Sequence, residues 1–350
     1  MIAAFGFAAA PAVWAGFDQG LAAYMEGDFA KAFQEMLTAA NAGDVVAANN
    51  VGVLYSTGRG TIADPVQAMT WWRKAADQGD DEAAFNLGLA YQNGRGVAVD
   101  EEKAASWYRK AADQGNPSAQ YNLGVLYHAG RGVPLDPAEA ASWYRKAADQ
   151  GDISAAKSLA DMLGNGEGGK QNLEEAAHYY QVAAEQNDAE AERVLGAMFG
   201  NGLGVQRNPA SAAGWYGKAA DQGDAQAAFN LGVMYSLGEA VPQDKMRAYL
   251  WLAIAAKGLD EPDARLAAAE RRDAIARTLS ATDRDLALRQ VDQWRPRVVG
   301  RAIEAATNGP PDPRAAEAEH ETTAAEICHS ALRDSLGRTG QWAGAESACR

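Results

Sequence analysis

Residues 80–115 read DDEAAFNLGLAYQNGRGVAVDEEKAASWYRKAADQG, and residues 116–151 read NPSAQYNLGVLYHAGRGVPLDPAEAASWYRKAADQG. The two segments share their asparagine–leucine–glycine, glycine–arginine–glycine and tryptophan–tyrosine positions, which recur after 36 residues. A fixed period of this length is typical of a solenoid, in which each repeat buries its apolar face against its neighbours. The fold of the chain therefore depends on how this unit stacks.

Six such units follow one another along the chain: 44–79, 80–115, 116–151, 152–187, 188–223 and 224–259. In the first half of each unit, an alanine, a small residue and an aromatic or apolar residue share one face of a predicted helix. The small residue indicates that another helix presses against the backbone there, because a larger side chain would not fit. These small residues are Gly52, Gly88, Gly124, Ala160, Gly196 and Gly232.

The second half of each unit predicts a second helix that begins after a glycine-containing turn. The first glycine of the turn supplies the left-handed residue that ends the first helix. The second helix then begins at an aspartate or asparagine, whose side chain can accept hydrogen bonds from the first-turn amides. These cap residues are Asp64, Asp100, Asp136, Asn172, Asn208 and Asp244. Unit 152–187 departs most from the pattern, either through drift or because it forms a softer joint between two rigid halves.

The segments outside the repeats suggest caps and processing signals. Residues 16–43 predict an N-terminal helical cap, 260–294 predict C-terminal capping helices, and 295–350 predict a linker and flexible tail. Residues 1–15 are apolar and end in small residues, which is typical of a signal-peptide remnant cleaved after Ala15. No basic residue precedes Lys31, so either the true start lies upstream or the segment is only an apolar arm.

Composition narrows the classes of partner and chemistry. The 350 residues carry a formal net charge of −14, which disfavours nucleic acid and anionic membrane because both require clustered lysine and arginine. The apolar N-terminal run is too short to span a bilayer, so we expect no transmembrane segment. The four histidines show no metal-site or catalytic spacing, so we expect no metal, no cofactor and no enzyme. Cys328 and Cys349 could form one disulfide or remain two free thiols.

The repeat pattern resembles a known family. Asn86-Leu87-Gly88, Tyr91, Gly94-Arg95-Gly96-Val97, Asp100 and Trp107-Tyr108 match, position by position, the repeat of the Sel-one-like repeat (SLR) family, which is related to tetratricopeptide repeats. The resemblance covers about residues 44–259. It implies a right-handed α-solenoid, all-α in class, and a role in holding other proteins together or regulating them. It implies no reaction.

The face of the first helix opposite the core varies from unit to unit. In related solenoids the first helices line the concave surface, so the resemblance implies that these positions form a groove suited to an extended peptide or a partner helix. The groove candidates are Asn49, Phe85, Leu89, Gln92, Tyr121, Val125, His128, Lys157, Arg193, Phe229 and Val233. The alternative is that Phe85, Tyr121 and Phe229 pack between units.

Together these observations predict an exported bacterial scaffold or regulatory adaptor that holds a protein or peptide partner in the concave groove. We expect a periplasmic or secreted protein, or a cytoplasmic one if the apolar N-terminal run is not a signal. The alternative function is a cell-envelope hydrolase or a binder of a cell-wall or polysaccharide ligand. The sequence names no partner.

Overall fold

The computed structural model describes residues 12–297, and this part of the chain contains sixteen helices and no strand. Consecutive helices pack in pairs that recur about every 36 residues, so the predicted all-α solenoid is confirmed. The predicted tail beyond residue 297, both cysteines and residues 1–11 lie outside the described residues. The helices are α1 (Ala12–Met25), α2 (Phe29–Asn41), α3 (Val45–Thr57), α4 (Pro65–Ala76), α5 (Asp81–Asn93), α6 (Glu101–Ala112), α7 (Pro117–Ala129), α8 (Pro137–Ala148), α9 (Ile153–Asn165), α10 (Leu173–Glu185), α11 (Ala189–Asn201), α12 (Pro209–Asp221), α13 (Ala225–Leu237), α14 (Lys245–Gly258), α15 (Pro262–Ala276) and α16 (Ala281–Gln293).

The chain divides into two compact units, residues 1–150 and residues 151–350. In the first unit, the helix pair α1–α2 precedes repeats 1 to 3, which are formed by α3 to α8. In the second unit, repeats 4 to 6 are formed by α9 to α14, and α15 and α16 both pack against α14. Each repeat thus contributes a first helix and a second helix to its own unit.

The predicted caps fix where the helices begin and end. The Asp64 side chain accepts hydrogen bonds from the amides of Val66 and Gln67 at the start of α4, and each of the five equivalent cap residues accepts from at least one first-turn amide of its own second helix. The glycine that follows each first helix is left-handed in all six repeats, from φ 65° at Gly130 to φ 76° at Gly166. Both predictions are confirmed.

The second glycine of the turn is required for a different reason, which the sequence did not reveal. A Cβ atom at Gly132 would lie 2.2 Å from the carbonyl oxygen of Glu101, in the first turn of the second helix of the preceding repeat. A Cβ atom at Gly204 would lie 2.0 Å from the carbonyl oxygen of Leu173 in the same way. These turns therefore press backbone against backbone between successive repeats, which leaves no room for a side chain.

In five of the six repeats, an aromatic or apolar side chain of the second helix rests on a glycine of the first helix. A Cβ atom at Gly88 would lie 2.4 Å from the Tyr108 ring, and one at Gly124 would lie 2.6 Å from the Tyr144 ring. The same contact recurs with Trp72 on Gly52, Tyr216 on Gly196 and Leu252 on Gly232. The predicted close approach is confirmed. In repeat 4 the small residue is Ala160, and the Tyr180 hydroxyl donates to Asp161 beside it.

Candidate functional site

The candidate site is the first-helix face, which we define as the surface of α3, α5 and α7 in the first unit and of α9, α11 and α13 in the second unit. Side-chain bonds show that first helices lie side by side within each unit. In the first unit, the Asn86 amide nitrogen on α5 donates to the Asn49 side-chain oxygen on α3 over 3.1 Å. The repeats therefore place the variable positions of neighbouring first helices next to one another.

The aromatic residues of this face are more buried than the sequence predicted. Phe85 is 4% exposed, and its ring centroid lies 5.8 Å from that of Tyr108 in the same repeat. Phe229 is 7% exposed, with the Arg271 guanidinium 5.6 Å from its ring centroid. The expectation that Phe85 and Phe229 are open groove anchors is wrong, because both side chains belong to the core of their own unit. Tyr121 is half-buried.

Gln92 and His128 are also turned toward the core. The Gln92 side-chain oxygen accepts a hydrogen bond from the Tyr108 hydroxyl, and burial raises the pKa of Tyr108 well above its usual range. The His128 ring meets the Tyr144 ring edge-on, with centroids 6.4 Å apart. These two groove candidates therefore hold the tyrosine of the second helix in place.

Gln92 and His128 are half-buried, and four further candidates of the first unit also stay partly open on the face. Asn49, Leu89, Tyr121 and Val125 are each half-buried, so part of each side chain is accessible to a partner. The Tyr121 ring lies 5.7 Å from the Tyr144 ring between centroids, which fixes its orientation. This group presents apolar and aromatic surface beside side-chain amides, a composition that suits a protein or peptide ligand.

The second unit carries ion pairs at the same positions. The Lys157 ammonium group pairs with Glu190 and, over 3.4 Å, with Asp188. Arg193 pairs with Asp224 over 3.1 Å. Each of the two cations therefore holds the first helix of the next repeat, and a role of Lys157 or Arg193 in binding a partner stays a prediction.

These ion pairs also set the charge state of Lys157. Burial alone would lower the pKa of Lys157, but the carboxylates of Glu190 and Asp188 raise it above its usual value. The ammonium group therefore stays charged at neutral pH. Val233, the last candidate of this unit, is half-buried.

A carboxylate cluster in the first unit escaped the sequence analysis. Asp80, Asp81 and Glu82 follow one another at the start of α5, and the Asn116 amide donates to Asp81 over 3.0 Å and to Glu82 over 3.1 Å. Burial and the neighbouring Asp81 charge raise the pKa of Glu82, and burial raises that of Asp80. Asp80 and Glu82 occupy the same positions in their repeat as Asp188 and Glu190 occupy three repeats later. This match in the sequence could have revealed the cluster.

Between residues 12 and 297, no three histidine, cysteine, aspartate or glutamate side chains lie together in a way that could hold a metal ion. None of the helices in that range combines the length and the apolar character needed to cross a membrane.

Comparison with known proteins identifies the repeat. The family model described as Sel1 repeat matches residues 45–80, 81–116, 117–152, 153–188, 189–224 and 225–258, so each match begins one residue later than the unit read from the sequence. No curated protein matches the chain.

Two solved structures illustrate the similarity. A protective antigen present in uropathogenic Escherichia coli strains, which displays an SLR fold, is 25% identical with a TM-score of 0.68, over 92% of this chain and 69% of its own. A Sel1 repeat protein from Oxalobacter formigenes is 34% identical with a TM-score of 0.58, over 69% of this chain and 100% of its own. With six matched repeats that cover more than half of the sequence, the chain belongs to the Sel1 repeat family.

Proposed function

We propose that this chain is an exported scaffold that holds a protein or peptide partner on the first-helix face of its first unit. The observation that carries the proposal is the half-buried group of Asn49, Leu89, Tyr121 and Val125, whose exposed parts are not needed to close the core. Amide and apolar side chains at this spacing provide both hydrogen bonds and contact area for an extended segment or a helix.

Three further observations support the proposal. Sel1 repeat solenoids generally serve as scaffolds for protein interactions, and six such repeats are present. The positions that stay constant from repeat to repeat, such as the glycine under the second-helix side chain, are used for packing within the fold. Specificity for a partner must therefore come from positions that vary. Residues 1–15, with their apolar run and small residues, support export.

Site-specific photo-crosslinking in cells tests the binding face. A photoreactive phenylalanine derivative at Leu89 or Val125 should yield discrete crosslinked species that mass spectrometry identifies as the same partner. The control position is Thr70, an exposed residue on the second helix α4. Equal capture from Thr70, or none from Leu89 and Val125, would contradict the proposed face.

Export needs a separate measurement. Protein expressed with its native upstream sequence should lose the segment before Gly16 and appear outside the cytoplasm. N-terminal sequencing of the fractionated protein decides this point, and an intact cytosolic product would argue against export while leaving the scaffold proposal untouched.

A further inference from the structure

The ion pairs of the second unit follow a rule that links successive repeats. A cation on the first helix of one repeat reaches the aspartate that caps the first helix of the next repeat. Lys157 does this with Asp188, and Arg193 does it with Asp224. Glu190, two residues after the cap, adds a second carboxylate to the Lys157 site.

The same columns occur three repeats earlier in the first unit, with one difference. Asp80 and Glu82 stand where Asp188 and Glu190 stand, and Asp81 adds a third carboxylate. The position of Lys157 is occupied by Asn49, whose side-chain oxygen accepts a hydrogen bond from Asn86. In residues 12–297, Asp80 and Glu82 have hydrogen-bond donors but no lysine, arginine or histidine partner.

We propose that Asp80 and Glu82, beside Asn49, bind a lysine or arginine side chain of the partner. The equivalent carboxylates in repeat 5 already bind an ammonium group, so the column geometry is known to accept a cation. Glu82 is exposed and Asp80 is half-buried, so a cation can enter from solvent. The inference rests on the proposed function and adds that the partner is basic where it meets repeat 2.

The partial burial of Asp80 and the adjacent carboxylates of Asp81 and Glu82 explain why a cation would bind this site well. Charged groups that are partly removed from water lose hydration and gain more from an opposite charge than fully exposed groups do. The raised pKa values of Asp80 and Glu82 reflect the same free-energy cost of removing a carboxylate from water without an opposite charge beside it. A net charge of −14 further favours the approach of a basic segment.

A lysine introduced into the protein itself, next to the two carboxylates, tests the site without any partner. Asn49→Lys should restore the ion pair seen at Lys157 and raise the melting temperature by about 1–3 °C at low salt, whereas the uncharged Asn49→Met should not. The gain should disappear when Asn49→Lys is combined with Asp80→Asn and Glu82→Gln. Asparagine still caps a helix, so Asp80→Asn removes the charge and keeps the cap. An equal gain with methionine, or no gain with lysine, would overturn the proposed geometry.

A random 12-residue peptide library displayed on phage tests the ligand class. Peptides selected on the wild-type protein should share a lysine or arginine, and their affinity should fall about tenfold for the Asp80→Asn/Glu82→Gln variant. Asp44→Asn, which removes the charge of the cap residue of α3, is the matched control and should leave affinity unchanged. Selected peptides that lack basic residues, or that bind the double variant equally well, would overturn this inference and leave the scaffold proposal standing. A selection that yields no binding peptide would overturn both.

Discussion

At the scale of single residues, the contact between a glycine and a second-helix ring explains why the glycine column varies so little. Gly88→Leu should lower the free energy of unfolding by about 3 kcal/mol, because the new side chain would overlap the buried Tyr108 ring. Gly214→Leu is the control, since Gly214 is exposed in α12 and no atom lies within 4 Å of a Cβ built there. Denaturant unfolding of both variants measures the difference, and equal losses would contradict the packing argument.

Phe85 illustrates a residue whose role the column pattern could not assign. Phe85→Ala should cost about 3–5 kcal/mol of stability, as expected for a buried aromatic ring that packs on Tyr108. Leu89→Ala, on the half-buried part of the same helix, should cost much less. Thermal melts followed by circular dichroism compare the two, and a mild effect of Phe85→Ala would return this ring to the set of exposed binding candidates.

Glu192 is a buried carboxyl group at a position where the first unit has an amide. It is 1% exposed, its Oε1 atom has no hydrogen-bond partner, and its Oε2 atom accepts from Gln222 over 2.7 Å. At the equivalent place, Gln120 donates to the Ala112 carbonyl oxygen and accepts from Gln150. Burial raises the pKa of Glu192, with a smaller contribution from Asp188 and Asp221, against the opposing effects of Gln222 and Lys218.

The raised pKa gives a pH prediction with a definite sign. The folded state favours protonated Glu192, so its stabilising contribution is complete below the ordinary pKa of 4.5 and is lost as the pH rises through the higher folded pKa. Glu192→Gln should therefore melt at a higher temperature than the wild type at pH 7, and this gap should close near pH 4. The reciprocal Gln120→Glu should destabilise the protein at pH 7. A gap that stays constant across this range would argue against a protonated carboxyl group.

At the scale of an element, the turn between the two helices of repeat 6 breaks the rule followed elsewhere. Ala240 stands where repeats 1 to 5 have the second glycine of the turn, and it keeps the left-handed backbone with φ 66°. An alanine in this region is strained by about 1 kcal/mol. Ala240→Gly should therefore raise the melting temperature, whereas Gly204→Ala should lower it, because its Cβ would meet the Leu173 carbonyl oxygen. A lower melting temperature for Ala240→Gly would contradict the strain.

The elements were predictable from sequence where their causes are local. The Asp64 cap bonds amides two and three residues away, and Gly58 acts on the helix that it ends, so short patterns were sufficient. The first-helix face was harder to predict because its contacts are distant in sequence. Phe85 meets Tyr108, and Lys157 meets Asp188 in the next repeat. A variable column can therefore reflect compensating partners within the fold as well as freedom to bind a ligand.

At the scale of the whole molecule, the two units differ in the contacts that their variable columns make between repeats, although ion pairs such as that of Arg131 with Glu101 also link repeats of the first unit. In the first unit, Arg73 donates to the Tyr91 hydroxyl over 2.9 Å, and Arg109 donates to the Tyr127 hydroxyl, each from one repeat to the next. In the second unit, the tyrosine column holds Leu163 and Phe199, which have no hydroxyl group, and Tyr235, whose hydroxyl accepts from Arg247 of its own repeat. The pairs of Lys157 and Arg193 with acids of the following repeats link the repeats there.

This difference predicts that a substitution at one of these contacts destabilises only the repeats that it links. Lys157→Met keeps most of the aliphatic stem but leaves Asp188 without its cation and Glu190 with Arg193 at 3.9 Å, so repeats 4 and 5 should lose about 1–3 kcal/mol of local stability. Because repeats in a solenoid contact only their neighbours, amide hydrogen exchange in α9 and α11 should accelerate while α5 and α7 keep their protection. Arg109→Met, which removes the donor to Tyr127, should give the reverse pattern. Uniform loss of protection along the chain in either variant would show that the repeats unfold together and not in separable groups.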